Sequence, residues 1–381
     1  MKIALVIERL DTHRGGRETS TAQTAVELVR NGCEVTIVCR TSSWSAPGVE
    51  VLELGSRSGS HTSRLRGFAA DVAEAVSGRN FDIVQTTLPL PCANIYRPRG
   101  GTIPAQLAAS LRRRSRAGRM LRKLTEPFNS YRRAMAQFER ELLTGGRALC
   151  LCVSRMVRDE CREHYGLSDG VEVVFNCVDV PGEESRQEDR GRLRDEIEAG
   201  PDDPVFLTVA TNFELKGVAR GIEAFAQWRR DSGSDGSRLV VVGRASPDRY
   251  VKLASDCGAA DAVVFAPPAN NVFQWFAAAD AVMLLSWYDP CSRVVLEAAR
   301  WAIPSITTQF NGAAEAFTDG GCIVVDSPLD RSGIVKAFET LADPETREEH
   351  SQACGKLGDW LGSQRHAKEL LDAYTRAPEL Q

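Results

Sequence analysis

Two acids eight positions apart, Asp289 and Glu297, stand in the segment SWYDPCSRVVLEAAR, Ser286 to Arg300, at the end of the apolar run AVMLLS. A carboxylate at the wet end of a buried strand can hold part of a ligand, because each of its oxygens accepts from neighbouring donors. It can equally cap a helix: Asp289 before Pro290 is a good N-cap with proline at the first helical position, and Glu297 then is an ordinary helix residue. If a helix starts at Pro290, the second acid lies ~12 Å further along the axis, so the pair cannot grip one atom. The two can grip one long ligand.

A lysine stands in a second place of this kind. Lys216 and Gly217, in VATNFELKGVARGIEAF, follow a strand directly and start the next helix. An ammonium group there can meet a phosphate that the helix N-terminus also attracts, the plainer alternative being a surface lysine. Gly15, Gly16 and Arg17 lie between the first strand and the helical run from Thr19 to Asn31. Glycines there let the backbone approach an anionic group, or simply make a strand-to-helix turn. The pattern is not GxGxxG, which argues against a nicotinamide site. His61 is a loop histidine of the amino-terminal half, either bystander or catalyst.

Such residues need elements to carry them, and short apolar runs alternating with helical patterns supply these. The first set is Lys2 to Glu8, Glu34 to Cys39, Val49 to Leu54, Asp82 to Thr86, Ala148 to Val153 and Val171 to Phe175. After the polar stretch Pro181 to Asp203 comes a second set: Val205 to Ala210, Arg238 to Gly243, Ala262 to Ala266, Ala281 to Ser286, Pro304 to Thr308 and Cys322 to Val325. Continuous apolar strands separated by helices predict parallel sheets covered on both faces. The expected fold is therefore α/β, with two Rossmann-like doubly wound domains over residues 1–180 and 181–360, and a last helix at 361–381 packing back on the amino-terminal domain. Ligands of such domains bind beyond the carboxyl ends of the strands, and the cleft between two facing units is the expected site.

Composition bounds the partners. The 381 residues, 43% hydrophobic, are enough for two buried cores. A net charge of −4 argues against a surface devoted to nucleic acid. Eleven cysteines without a CxxC pair, several in apolar runs (Cys39, Cys150, Cys152), suggest reduced, buried thiols and a cytosolic protein. The apolar stretch before Glu8 is too short for a secretory signal, and no eighteen apolar residues run together.

One segment departs from the acidic whole. Residues 97–140 hold twelve Arg or Lys against two Glu. Leu107, Leu111, Leu121 and Leu124 recur at near-helical spacing, while Arg112, Arg113, Arg114, Arg116, Arg119, Arg122 and Lys123 take other positions. That is the composition of a helix lying on an anionic membrane or glycolipid surface, the alternative being a solvated acceptor loop. A nucleic-acid patch lacks the interleaved aromatics it needs.

Taken together, GGRE at Gly15 to Glu18, FNCVDV at Phe175 to Val180, FELKG at Phe213 to Gly217, DPCSRVVLEA at Asp289 to Ala298 and NGAAE at Asn311 to Glu315 resemble the retaining glycosyltransferases of family 4, which have the two-domain GT-B architecture. SHTS at Ser60 to Ser63, KGVARGIEA and FAAADAVML look like their counterparts in the enzymes that glucosylate the inner core of lipopolysaccharide.

The resemblance implies roles. Asp289, with Cys291 and Ser292 behind it, holds the hydroxyls of the transferred sugar; Glu297 accepts from the ribose of a UDP-sugar. Lys216 neutralises the diphosphate leaving group, approached by Gly15, Gly16 and Arg17 from the other domain, with no metal or other cofactor. The family's first acid is usually Glu, one methylene longer than Asp289. Thr211 stands where many members place an arginine, for which Arg220 or Arg244 are replacements. The catalytic residue of the amino-terminal domain has no counterpart at 97–102, leaving His61. The implied activity is transfer of a hexose, glucose, to a hydroxyl of an envelope glycolipid by a cytoplasmic enzyme on the inner face of the membrane. A nucleotide-sugar epimerase of the same architecture, or a non-catalytic protein that binds anionic polymer or membrane, are the alternatives.

Overall fold

The protein is described here by a computed structural model covering residues 1–12, 15–182, 186–268 and 272–380. The chain divides into unit 1, Met1–Cys177 with Gly362–Gln381, and unit 2, Val178–Leu361.

Unit 1 is built on β1 (Lys2–Val6), β2 (Arg9–Leu10), β3 (Glu34–Cys39), β4 (Thr41–Ser42), β5 (Val49–Glu53), β6 (Ile83–Thr86), β7 (Ile95–Tyr96), β8 (Leu149–Cys152) and β9 (Val171–Val173). Seven of these form one parallel sheet in the order β5-β3-β1-β6-β7-β8-β9, and β2 pairs with β4 apart from it. The helices are α1 (Gly16–Arg30), α2 (His61–Ser77), α3 (Ile103–Arg112), α4 (Arg116–Thr125), α5 (Ser130–Thr144) and α6 (Arg155–Tyr165). Successive side chains of a strand point to opposite faces, which explains why β1 is apolar from Ile3 to Val6. Ile3 and Leu5 pack with Ala22, Ala25 and Leu28 of α1, while Ala4 and Val6 pack with Phe68 and Val72 of α2.

Unit 2 repeats the plan. Its strands are β10 (Val205–Ala210), β11 (Arg238–Gly243), β12 (Val263–Ala266), β13 (Ala281–Leu284), β14 (Ser305–Thr308) and β15 (Cys322–Val325), all parallel, in the order β12-β11-β10-β13-β14-β15. The helices are α7 (Arg186–Glu196), α8 (Val218–Ser232), α9 (Asp248–Asp256), α10 (Phe273–Ala278), α11 (Arg293–Arg300), α12 (Arg331–Ala342) and α13 (Pro344–Gly355). Phe206 of β10 meets Phe225 and Trp228 of α8 and Phe338 of α12 on one face, with Phe206 and Phe338 centroids 4.6 Å apart. Leu207 turns to the other face, with Phe276 of α10 and Ala298 of α11. This is the doubly wound order in which the connections change direction beside the first strand. The chain then returns to unit 1 as α14 (Ser363–Tyr374), whose Leu370, Ala373 and Tyr374 join the α1 face of that core.

Within the polar stretch Pro181 to Asp203, α7 is part of unit 2, on the side where residues 181–360 are expected: Arg190 and Arg194 bond Asp280 at 2.7 and 3.1 Å. Residues 183–185 of that stretch lie outside the described residues. The basic segment is not one helix. Arg97 is fully buried, Thr102 caps α3, the chain breaks at Arg113, and Ser115 caps α4 with a bond from Gly118 N–H. Leu107 and Leu111 are half-buried on α3, whereas α4 buries nothing and leaves Leu121 and Leu124 exposed. Nor does a helix begin at Pro290, as described below. Among the described residues no helix is long and apolar enough to cross a membrane.

Candidate active site

In unit 2 the crevice beyond the carboxyl ends of β10 and β13 lies where the strand order reverses, the place where such sheets bind ligands. Both chemistry-bearing loops end there. After β10 the turn at Phe213 to Gly217 leads into α8, and Gly217 caps that helix at φ +66. A Cβ on Gly217 would lie 2.2 Å from the carbonyl oxygen of Leu285, so glycine is required by conformation and by space together. Trp287 N–H donates to the Leu215 carbonyl at 3.0 Å, tying the two loops. The result is an ion pair between Lys216 Nζ and Asp289 Oδ2, both largely buried. Gly217 places the lysine, and the loop after β13 places the acid.

That second loop corrects the expected helix start. Asp289 is held extended, bridged to Asn311: its N–H donates to the Phe310 carbonyl at 2.8 Å and its carbonyl accepts from Gly312 N–H at 2.9 Å. Helix α11 therefore begins only at Arg293, with the buried Ser292 as its N-cap. Asp289 consequently caps nothing, and its side chain is turned to Lys216. Asn311 organises the loop. Its Oδ1 accepts from Ser292 N–H at 3.2 Å and Ala313 N–H at 3.1 Å, and its Nδ2 donates to Thr307 Oγ1 at 2.9 Å. Sequence reasoning assigned Asn311 no role. The signal available was an Asn-Gly directly after an apolar strand.

Glu297 lies one turn into α11, with Arg293 Nη2 3.1 Å from its Oε1. Cys291 is buried between Asp289 and the helix. The structure thus gathers Lys216, Asp289, Cys291, Ser292 and the start of α11. The proposed replacement cations, Arg220 and Arg244, both stand at exposed positions. Arg220 is on the exposed side of α8, bonded to Glu223 at 2.7 Å. Arg244 is exposed just after β11. Thr211 is exposed after β10, one residue before a cleft of about 430 Å³ whose walls include Asn212, Glu214, Arg249 and Tyr250.

In unit 1, Gly16 opens α1 and Gly15 precedes it with φ 172, in extended backbone that any residue adopts. No left-handed turn forces glycine there. Arg17, half-exposed, lines a cavity of about 260 Å³ together with Thr87, Tyr96, Gln106, Asn129 and Arg132. Beneath it, buried Glu139 accepts from Tyr96 Oη at 2.7 Å and from Ile103 N–H at 2.7 Å, and burial raises its carboxyl pKa against those bonds. His61 starts α2 and packs edge-on against Tyr131, a wall of the same cavity. Of the basic residues, Arg112, Arg114, Arg116, Arg119 and Lys123 are exposed and Arg113 is half-buried, while Arg122 pairs with Glu126 at 2.9 Å.

These features meet an independent comparison. Residues 14–180 match the family Glycosyltransferase Family 4, and residues 189–357 match Glycosyl transferases group 1, together nearly the whole chain. With its two doubly wound parallel sheets, the chain belongs to the GT-B glycosyltransferases of family 4. Among named relatives, the lipopolysaccharide glucosyltransferase WaaG of Escherichia coli (strain K12) is 29% identical over 172 residues, covering 45% of this chain and 43% of that protein. The D-inositol 3-phosphate glycosyltransferase of Actinosynnema mirum is 28% identical over 80% of this chain and 78% of its own length. Elsewhere the chain spans about half the length of the curated relatives it matches. A crystal structure of WaaG, a glycosyltransferase involved in lipopolysaccharide biosynthesis, shares the fold with a TM-score of 0.78 at 20% identity, over 98% of this chain and 99% of that one. Anabaena Alr3699/HepE in complex with UDP and glucose does so with a TM-score of 0.71 at 15% identity, over 98% and 99%.

Proposed function

We propose that the protein transfers a hexose, glucose, from a UDP-linked donor to a hydroxyl of a cell-envelope glycolipid such as lipopolysaccharide core, retaining the anomeric configuration and using no metal. The observation that carries this reading is the Lys216–Asp289 pair at the switch point of unit 2. As the bond from the anomeric carbon to the diphosphate breaks, negative charge grows on the leaving group. A lysine fixed by Gly217 stabilises that charge more in the transition state than in the ground state. The acceptor oxygen bonds the anomeric carbon, and its proton leaves on the departing diphosphate. Asp289 pairs with the lysine. A bound diphosphate competes for the ammonium, which releases the carboxylate to accept from sugar hydroxyls. Glu297, with one oxygen on Arg293, offers the other to the ribose.

The named relatives support the class of substrate: one glucosylates lipopolysaccharide, and the Anabaena neighbour holds UDP and glucose. Thermal denaturation across a panel of nucleotide-sugars tests the donor, since a ligand at 100 times its Kd adds about 2.7 kcal/mol of stability. UDP-glucose is expected to give the largest rise. A panel in which no UDP-sugar stabilises the protein rejects the donor assignment.

Helix α4 supports placement at the cytoplasmic face of the membrane. Met120, Leu121 and Leu124 are more than 60% exposed, and Phe128 just beyond is 85% exposed, beside Arg116, Arg119 and Lys123. Basic residues near an anionic surface contribute about 1 kcal/mol each, weakened by salt, and the apolar side chains add insertion that salt does not remove. Replacing Arg112, Arg113, Arg114 and Arg116 by Ser is expected to free the protein from anionic vesicles in co-sedimentation while leaving slow donor hydrolysis unchanged. If the unmodified protein ignores such vesicles at low salt, the membrane assignment fails.

A further inference from the structure

Three of the eleven cysteines converge in unit 1. Strand β8 reads LCLC, so its alternation puts Cys150 and Cys152 on one face. Helix α6, capped by Ser154 directly after the strand, lays Cys161 on that same face. All three side chains are fully buried. Their sulfurs form a nearly equilateral triangle with edges of 3.7, 3.8 and 3.9 Å.

We propose that Cys150, Cys152 and Cys161 form a three-coordinate site for one soft, thiophilic ion, of the kind represented by copper(I) or arsenic(III). Sulfurs at these separations each lie about 2.2 Å from their common centre, close to the ~2.3 Å of a thiolate–metal bond. A single ion therefore fits with the side chains where they are. A disulfide between any two would need their sulfurs to close to ~2.05 Å, and would strand the third. Among the described residues, no other His, Cys, Asp or Glu joins this cluster as a ligand. That disfavours zinc, which takes four ligands in structural sites, and favours ions that thiolates alone satisfy. The surroundings discriminate further, because a buried site penalises net charge and the carboxyl groups of Glu139 and Glu160 lie close enough to act on these thiols. Arsenous acid reacts with three thiols to give a neutral tris-thiolate and three waters, each hydroxyl leaving with one thiol proton. Copper(I) displaces thiol protons to solvent and leaves a complex of net negative charge. Sulfur is neither oxidised nor reduced in either case. Bound there, the ion would clamp α6 to β8.

The test uses the full chain, reduced and handled without oxygen, titrated separately with copper(I) buffered by a chromophoric chelator, with arsenite and with zinc. Native mass spectrometry counts the ions, and X-ray absorption counts the sulfurs around each. One ion per chain with three sulfur neighbours, lost in Cys152→Ser and in Cys161→Ala but kept in Cys257→Ser, is the expected result. Uptake of both copper and arsenite marks a site selected by geometry, and arsenite alone marks one selected by neutral charge. No uptake of either, fewer than three sulfurs, a four-coordinate zinc bound more tightly than both, or a folded Cys161→Ala that binds like the unmodified chain overturns the proposal. Should the variants not fold, the sulfur count on the unmodified protein decides.

Discussion

In unit 2 the turn after β10 carries Gly217 at φ +66, where an added Cβ would meet the Leu285 carbonyl at 2.2 Å; in unit 1 the corresponding loop after β1 carries Gly15 in extended backbone, where an added Cβ would meet no atom of the described residues nearer than Glu18 Oε2 at 3.5 Å. The same strand order is thus finished in two ways. Unit 2 ties its two switch-point loops to one another, through Trp287 to Leu215 and Lys216 to Asp289. Unit 1 leaves a cavity beside the loop, walled by Arg17 and Thr87. A chemically invariant ligand, such as a nucleoside diphosphate, suits the tied loops. An untied cavity suits a partner that differs from enzyme to enzyme.

The largest expected difference is catalytic. Lys216→Ala should lower turnover about 10²–10³-fold while changing donor affinity less, as expected for a group that meets charge developing in the transition state. Arg17→Ala, at the edge of the unit 1 cavity, should cost less than about tenfold by the same steady-state measurement. Equal losses in kcat would erase the contrast between the two loops.

The backbone offers a sharper version. Gly217→Ala combines about 1–2 kcal/mol of left-handed strain with about 1–3 kcal/mol of overpacking against Leu285. Gly15→Ala should stay within about 0.5 kcal/mol. Urea denaturation of the two variants measures both.

The smallest effect is a difference in acid sensitivity. His366 of α14 is fully buried, with Nδ1 2.8 Å from the Phe175 carbonyl and Nε2 3.0 Å from Arg97 Nη1. Burial first, and then the charges of Arg97, Arg99 and Arg365, push its pKa well below the usual value of 6.5. The unfolded chain therefore takes up a proton that the folded one refuses. Unit 1 should lose stability as pH falls below about 6.5, by up to about 1.4 kcal/mol per pH unit. In unit 2, His350 shifts the same way but is only partly buried. Melting curves between pH 7.5 and 5.5 should show a steeper decline for the unmodified chain than for His366→Asn.

Much of this was legible in the sequence, because parallel strands buried on both faces are written as apolar runs. Unit 2's six strands were read within two residues. The two-residue β7 was not, since a pair such as Ile95–Tyr96 carries no periodicity. Lys216 and Asp289 stood out through their position after strands. Their contact, and the start of α11 at Arg293, did not, because both depend on Asn311 reaching across from another strand's loop. The cysteine triangle was hidden for a similar reason. The CxC of β8 is local, but the third thiol arrives only through the packing of α6.

The return of α14 to unit 1 bears on the order in which the molecule is made. Leu370, Ala373 and Tyr374 complete the α1 face of the core, and His366 receives Arg97 there. A ribosome delivers those residues after all of unit 2 has emerged. Unit 2, contiguous from Val178 to Leu361, can close its core at once, whereas unit 1, begun first, waits with one apolar face uncovered until the last helix arrives.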